Sequence, residues 1–258
     1  MTAFALPLRV YEFWLLQYRR IWRGTVITSI VNPVFYLGAL GVGLGTLVNR
    51  SSGQPLGVPY LDFVAPGMLA ATAMQIASGE ATWPVMGSFR WTRQYFAMLA
   101  TPLGVRDIML GHQLWMATRI ASTSAVYLAV IAAFGGIDSP LGVLALPVAV
   151  IVGLAFTAPT AAYAATQESD AAFVPYNRFL IIPMFLFSGT FFPVSRLPLP
   201  LEWIAYATPL WHGVDACREL TLGHVHVLRM LGHLAYLLLL PAVGLAWGQR
   251  TYTRRLFT

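Results

Sequence analysis

The chain has 258 residues, of which 57% are hydrophobic and only 10% are charged, and its formal net charge is +6. Soluble domains carry about 25% charged residues, and the exterior of a soluble fold this long could not conceal so much apolar surface from water. A bilayer removes that constraint, and each helical crossing of its hydrocarbon core needs roughly 20 apolar residues. The composition therefore predicts an all-α integral membrane protein and argues against a soluble enzyme.

All the basic residues are arginines, and lysine is absent. A P-loop uses a lysine to reach nucleotide phosphates, so any ATP must be bound by another polypeptide. The sequence also lacks HExxH, GxSxG and acidic clusters with ligand spacing. We expect no catalytic residue, cofactor or metal in this chain. We also expect no nucleic-acid partner, because the arginines border apolar runs instead of clustering on one polar surface.

The first predicted element is a helix over residues 9–23. At 3.6 residues per turn, one arc of this helix is mainly charged and the other is apolar and aromatic. The charged arc holds Arg9, Glu12, Arg19, Arg20 and Arg23, and the apolar arc holds Val10, Tyr11, Trp14, Leu15, Tyr18, Ile21 and Trp22. This pattern is typical of a helix in the membrane interface. An ordinary surface helix is the alternative, which the apolar run that follows directly disfavours.

Six apolar stretches follow, and each predicts a transmembrane span. They cover residues 24–49, 61–86, 105–134, 141–166, 173–194 and 227–247. Pro33 should kink the first span, because proline cannot donate a backbone hydrogen bond. Gly41 and Gly45 in the same span are spaced to allow close contact with another helix.

Two segments are too short or too polar to cross a bilayer. Residues 88–102 predict one short helix that ends near Pro102. Residues 195–226 are rich in proline and predict two short, half-buried helices separated by Thr208 and Pro209, which together form a re-entrant hairpin. Cys217, the single cysteine, excludes an internal disulfide and offers a thiol probe of that hairpin. The whole chain, 1–258, is predicted to form one domain.

The arginines predict the orientation, because positive charge collects on the cytoplasmic side. With six spans and a cytoplasmic N-terminus, most arginines lie inside. The outer segments then hold only Arg50, Arg196, Arg218 and Arg229. This distribution predicts that both termini are cytoplasmic.

Three ionisable residues, Glu80, His112 and Arg119, fall inside predicted spans. Such groups are costly in a membrane and usually face a partner or an aqueous path. We predict a gating role for Glu80 and a structural pairing role for Arg119. The alternatives are that Glu80 reaches cytoplasmic water and that Arg119 extends its head group toward the interface.

Two blocks near the C-terminus resemble a known family. Residues 187–198, FSGTFFPVSRLP, resemble the SGxxFPxxxLP signature of ABC-2 type permeases, and residues 207–218, ATPLWHGVDACR, resemble the PLxHxxDxxR block that follows it. The matching positions are Gly189, Phe192, Pro193, Leu197, Pro198, Pro209, His212, Asp215 and Arg218. The nodulation protein J and daunorubicin-resistance types are the most similar. The topology matches over the whole chain, but the motifs are specific only from the fifth span onward.

The resemblance implies an exporter built from two permease chains and two cytoplasmic ABC ATPase subunits, which bind ATP and magnesium. The second permease is another copy or a paralogue. The family's coupling helix, which contacts the ATPase, corresponds by position to about 90–101. The candidate contacts are Arg90, Trp91, Arg93, Gln94 and Tyr95. Trp91 and Tyr95 lie four residues apart and are therefore predicted to share one face of this helix, which would dock into the ATPase. The family often begins this helix with Arg-Glu-Gly-Thr, whereas this sequence has Arg-Trp-Thr-Arg, and interfacial anchoring is the alternative role for the aromatic residues.

The resemblance also implies a cargo route along the permease–permease interface, lined by the first, second and fifth spans. Candidate lining residues are Phe35, Tyr36, Met74, Tyr176, Phe179 and Phe185, for which helix packing is the alternative. Their aromatic and methionine side chains suit lipid-linked, glycolipid, lipo-oligosaccharide or hydrophobic drug-like cargo. A bacterial inner membrane is the expected location. A secondary transporter or an intramembrane enzyme is the alternative class, although neither an internal repeat nor a paired catalytic set is visible.

Overall fold

The computed structural model describes residues 5–20, 22–50 and 57–257, and the regular structure in these ranges is helical. We number the main helices in chain order. They are α1 (Ala5–Tyr18), α2 (Trp22–Arg50), α3 (Tyr60–Ala81), α4 (Trp83–Arg90), α5 (Gln94–Leu99), α6 (Val105–Ala133), α7 (Pro140–Ala164), α8 (173–187), α9 (Leu199–Ala207), α10 (Pro209–Leu222) and α11 (Val227–Phe257). The all-α prediction is confirmed for the described residues.

Four helices in the described ranges are long and apolar enough to cross a membrane, namely α2, α6, α7 and α11. The predicted second span corresponds to α3, which has 22 residues but carries Asp62 and Glu80. The predicted fifth span corresponds to α8, which ends at Phe187 and not near residue 194. The chain turns there, where Gly189 adopts a φ of 80°. Six crossings therefore stay a prediction.

Helix α3 forms the centre of the molecule. Its sequence is rich in alanine, and small side chains let neighbouring helices approach on every side. Helices α6, α7 and α10 all pack against it. Val64, Leu69 and Met74 are fully buried there. Met74, predicted to line a cargo route, therefore lies in the core and faces no open path in this structure.

Helices α7 and α11 approach each other closely at Gly244. A Cβ atom on Gly244 would lie 2.5 Å from the backbone nitrogen of Pro159 and 2.7 Å from the carbonyl carbon of Ala158. Atoms that close would overlap, so only glycine fits at this crossing. On the first span, Gly41 faces Leu61 and Gly45 faces Tyr60, so these two glycines serve a contact with α3 within the chain.

The N-terminal helix is shorter than predicted. It ends at Tyr18, with Arg19 and Arg20 in a turn, and Ile21 lies outside the described residues. Val10 and Trp14, both from the predicted apolar arc, are buried. They lie against α6, where Gly111 leaves room for Val10. Part of the apolar arc therefore packs on protein.

The first span does not break at Pro33. The helix continues past this residue and then widens into π-helical turns over Leu37–Leu44. Wide turns of this kind are a known way for a helix to absorb local irregularity. The kink predicted at Pro33 stays a prediction.

The two short helices predicted in residues 195–226 are confirmed as α9 and α10. Thr208 separates them, and its side-chain oxygen accepts a hydrogen bond from the Trp211 backbone nitrogen at 3.3 Å, which caps α10. They have 9 and 14 residues, hence lengths of about 14 Å and 21 Å, too short for a crossing of roughly 30 Å. Cys217 is fully buried in α10, so packing blocks its use as a thiol probe.

Candidate coupling and transport sites

Side-chain contacts define two ends of the helical bundle. At one end, Arg90 pairs with Glu168 at 2.6 Å, and Arg255 donates to the carbonyl oxygens of Ala165 and Gln167 at 2.7 and 2.6 Å. We call this the basic end. It brings together the end of α4, the loop between α7 and α8, and the end of α11.

The opposite end contains α9 and α10, whose arrangement as a re-entrant hairpin stays a prediction. Here the backbone nitrogens of Asp138 and Ser139 both lie 3.1 Å from the carbonyl oxygen of Thr221. The Tyr60 hydroxyl donates to the carbonyl oxygen of Phe191 at 3.2 Å. We call this the hairpin end.

The predicted coupling helix is two helices and not one. Helix α4 ends at Arg90, and Arg93 adopts a left-handed conformation with a φ of 52° before α5 begins. The backbone nitrogens of Trp91 and Thr92 both donate to the carbonyl oxygen of Gly87, at 3.0 and 2.9 Å. This arrangement closes α4 and turns the chain. A single helix over 88–102 is therefore wrong, because a left-handed residue cannot continue a right-handed helix.

The break places Trp91 and Tyr95 in opposite environments. Trp91 is 60% exposed, whereas Tyr95 is fully buried. The Tyr95 hydroxyl lies 2.5 Å from His112 Nδ1, and its ring contacts those of Phe89 and Tyr252. The prediction that Trp91 and Tyr95 share one docking face is wrong, since their four-residue spacing is interrupted by the turn.

The other residues predicted to contact the ATPase differ in their exposure and in their partners within the chain. Arg93 is exposed at the turn, and its guanidinium lies 5.1 Å from the centre of the Phe96 ring. Gln94 donates to the Ser88 hydroxyl at 2.6 Å, and Arg90 is held by Glu168. Trp91 and Arg93 thus form the projecting corner of the segment, which we call the Trp91–Arg93 corner.

Beneath this corner lies a buried aromatic cluster that the sequence did not predict. The His112 ring stacks on the Trp14 ring with centroids 3.9 Å apart, while Tyr95 and Tyr252 approach from α5 and α11. The cluster therefore joins α1, α5, α6 and α11. His112 stood out as an ionisable residue in a span, but no sequence spacing connects it to Tyr95 or Trp14.

Glu80 and Arg119 form an ion pair between α3 and α6. Arg119 Nε lies 3.1 Å from Glu80 Oε1, and the two side chains are 12% and 21% exposed, Arg119 being the more buried. Arg119 also donates to the Tyr18 hydroxyl at 2.9 Å and stacks over the Tyr18 ring. The pairing role predicted for Arg119 is confirmed, and the gating role of Glu80 stays a prediction.

The predicted route residues divide into two groups. Phe35, Tyr36 and Phe179 are exposed, the first and last at 72% and 79%, and they lie on uncovered apolar faces of α2 and α8. By contrast, Tyr176 is hydrogen-bonded to the Thr160 hydroxyl at 2.7 Å, and Phe185 packs against the Phe191 ring. With Met74 in the core, only the exposed group faces away from the chain itself.

Arg218 explains why several signature positions lie together. Its guanidinium donates to the carbonyl oxygen of Phe63 at 3.2 and 3.1 Å and to that of Gly189 at 2.8 Å, and it lies 3.9 Å from the centre of the Phe63 ring. Arg218 thereby ties α10 to α3 and to the turn after α8. The rest of the first block, Phe192, Pro193, Leu197 and Pro198, follows in the irregular connection to α9, and Pro209 opens α10.

The other signature residues form a polar chain between α10 and α11. His212 Nδ1 lies 2.8 Å from His233 Nδ1, and His233 Nε2 lies 3.1 Å from Asp215 Oδ2. Both ring nitrogens of His233 and Nδ1 of His212 are therefore paired with neighbouring protein groups. Across the described ranges, no group of three or more metal-binding side chains could hold an ion. We therefore interpret this series of hydrogen bonds as a structural link that holds α10 against α11.

Comparison with known proteins agrees with this architecture. The family described as ABC-2 type transporter matches residues 11–222. The chain belongs to this family. It is thus a transporter membrane subunit of a family whose members have no ATPase site of their own, and a multi-pass membrane protein.

Nodulation protein J from several rhizobia is similar over most of its length. The protein from Rhizobium leguminosarum bv. viciae is 38% identical over 218 residues, or 81% of this chain and 82% of the relative. The protein from R. leguminosarum bv. trifolii is 35% identical over 238 residues, covering 88% and 89%. That from Rhizobium meliloti (strain 1021) is 34% identical over 247 residues, covering 92% of each. The ABC-2 family assignment therefore rests on nearly the whole chain.

Proposed function

We propose that this chain is the permease subunit of an ABC exporter that acts with a second permease copy or paralogue and two ATPase subunits. Its cargo would be lipid-linked, glycolipid, lipo-oligosaccharide or drug-like. The observation that carries the proposal is the Trp91–Arg93 corner. A tryptophan and an arginine project there from the chain, next to a buried cluster that reaches four helices. Tryptophan and arginine are the residues that most often anchor protein interfaces.

The uncovered faces of α2 and α8 support the second permease chain. Phe35 and Tyr36 on α2 and Phe179 and Leu180 on α8 are all exposed on the isolated subunit. Either lipid or another protein surface must cover them in the membrane. A facing permease would enclose a route with aromatic walls, which suits amphipathic cargo.

We further propose that the basic end is cytoplasmic and that α3 and α8 complete six crossings. Both termini would then lie inside a bacterial inner membrane. The positive-inside rule supports this orientation, because Arg90, Arg93, Arg250, Arg254 and Arg255 belong to segments at or leading to the basic end.

Engineered cysteines will test this topology. Because Cys217 is buried, it is first replaced by Cys217→Ala, and single cysteines are placed at two exposed tryptophans, Trp91 and Trp203. In intact spheroplasts, a membrane-impermeant maleimide should modify Trp203→Cys, and in inside-out vesicles it should modify Trp91→Cys. Modification of both positions from the same side would contradict the six-span arrangement.

A substitution at the corner will test the coupling role. Trp91→Ala should weaken co-purification with an ABC ATPase subunit from the same genome and reduce cargo-stimulated ATP hydrolysis. Loss of an interface anchor costs about 2 kcal/mol, which is roughly a 30-fold loss of affinity. The permease should still insert into the membrane, and its unfolding midpoint should equal that of the parent chain, because Trp91 is 60% exposed and lies outside the core.

Trp203→Ala is the matched control. Trp203 is 72% exposed but lies in α9 at the hairpin end, so ATPase association should be unchanged. Equal association of the ATPase with Trp91→Ala and the parent chain would show that the corner is only a membrane anchor.

A further inference from the structure

A polar groove separates α2 from α3 and α6. It consists of two cavities of about 250 Å³ and 150 Å³ that share Thr25 and Arg119 as lining residues. The larger cavity reaches Tyr18 of α1 and Pro84 of α4, and the smaller one reaches Asn32 and Gln75. Together they fall in the range of small-molecule sites, roughly 300–1,000 Å³. We call these two cavities the polar groove.

The groove extends to a depth where polar groups are costly. Asn32 lies about 15 Å along α2 from its first residue, within a helix apolar enough to cross the membrane. The side chains of Asn32 and Gln75 are exposed. Neither amide has a hydrogen-bond partner in the part of the chain that the structure describes. An amide without a partner costs several kcal/mol in hydrocarbon, so these two groups indicate water or a polar ligand in the groove.

Apart from Glu80 and Arg119, the polar groups of the lining are neutral, and apolar residues such as Pro33 and Ile76 lie beside them. Ser29 and Thr123 face each other across the smaller cavity, with their hydroxyl oxygens 3.4 Å apart. The single arginine, Arg119, is neutralised by Glu80 at 3.1 Å. The charge of the lining is therefore balanced, and an anionic ligand would have to compete with a carboxylate already in place.

We propose that the polar groove binds the uncharged, hydrogen-bonding head group of an amphipathic molecule, whose hydrocarbon chain stays in the lipid. The head group would enter from the leaflet at the basic end, through the cavity beside Tyr18. This site lies within one chain, between its first three predicted spans. The identification of the bound molecule as cargo rests on the proposed function.

Water access to the groove can be measured on the chain alone. In the Cys217→Ala background, Asn32→Cys, Gln75→Cys and Ser29→Cys place thiols in the groove, and Ile30→Cys places one on an exposed face of α2 outside it. Each variant is reconstituted into phosphatidylcholine nanodiscs and treated with a sulfonated methanethiosulfonate. We expect the groove thiols to react on the order of ten-fold faster than Ile30→Cys, because the reactive thiolate forms in water.

Head-group recognition is tested by protection of the groove thiols. Dodecyl maltoside below its micellar concentration should slow modification of Ser29→Cys, whereas dodecyl phosphate at the same concentration should not. Adding Gln75→Leu should abolish the protection, since it removes one amide of the site. Ser29→Cys is the most conservative reporter, so it keeps the test valid if the other substitutions impair folding.

Two results would overturn the inference. Groove thiols that react as slowly as Ile30→Cys would show that the groove is dry. Equal protection by both amphiphiles would show that it does not recognise a head group. Neither measurement uses an ATPase, so a failure here leaves the Trp91→Ala result intact, and a failure of the coupling proposal leaves the groove measurements intact.

Discussion

Gly244→Ala should destabilise the folded subunit strongly. The added Cβ would lie 2.5 Å from the backbone nitrogen of Pro159 and 2.7 Å from the carbonyl carbon of Ala158. Backbone atoms cannot move aside as a flexible side chain can, so α11 must shift away from α7 along their shared surface. Overpacking in a tight interior costs about 1–3 kcal/mol. Thermal unfolding in detergent, followed by circular dichroism, should show a clearly lower Tm.

Gly232→Ala is the matched control, because it makes the same chemical change in the same helix. A Cβ on Gly232 would meet no atom within 4 Å. Alanine favours the helix over glycine by about 1 kcal/mol, so this variant should be as stable as the parent chain or slightly more stable. Equal midpoints for the two variants would contradict the packing assigned to Gly244.

Local chemistry made some features predictable from the sequence. Thr208 and Pro209 predicted the boundary between α9 and α10, because a threonine cap followed by proline is a helix start that acts through neighbouring backbone groups. Gly189 carried a similar signal that the prediction did not use. A glycine at positive φ commonly ends a helix, and α8 ends two residues before it.

Long-range contacts could not be predicted in the same way. The four-residue spacing of Trp91 and Tyr95 implies a shared face only if the helix is continuous, and the left-handed Arg93 interrupts it. Arginine is not a residue that usually adopts this conformation, so no sequence pattern indicated the interruption. The burial of Met74 likewise depends on how α6, α7 and α10 surround α3. Hydropathy reports only that α3 is apolar.

Breaking the ion pair between α3 and α6 should have the other large effect. Glu80→Leu leaves Arg119 without its carboxylate in a site where the two side chains are only 12% and 21% exposed. Removing one partner of a fully buried pair costs about 3–5 kcal/mol, because the remaining charge is uncompensated. This partly buried pair lines the polar groove, so the loss should be smaller but still larger than that of a surface pair. Arg119→Leu should cost a comparable amount, since it leaves Glu80 unpaired and also removes the hydrogen bond to Tyr18.

The double variant Glu80→Leu/Arg119→Leu should regain much of the stability that each single variant loses, because it leaves no unpaired charge. The coupling energy from the complete cycle should exceed about 1 kcal/mol. The surface pair Arg9–Glu12, whose side chains are 72% and 55% exposed, is the control. Glu12→Leu should change the free energy of unfolding by less than about 1 kcal/mol. A coupling energy near zero between Glu80 and Arg119 would refute their pairing as a source of stability.

The same double variant separates a structural role of Glu80 from a gating role. Glu80 lies near the end of α3, and α4 continues from there to the Trp91–Arg93 corner. If the pair serves stability alone, the double variant should regain cargo-stimulated ATP hydrolysis together with its unfolding midpoint. If Glu80 gates transport, the midpoint should recover while the stimulation stays lost. We expect the second result, because the pair lines the polar groove and connects it to the helix that leads to the corner.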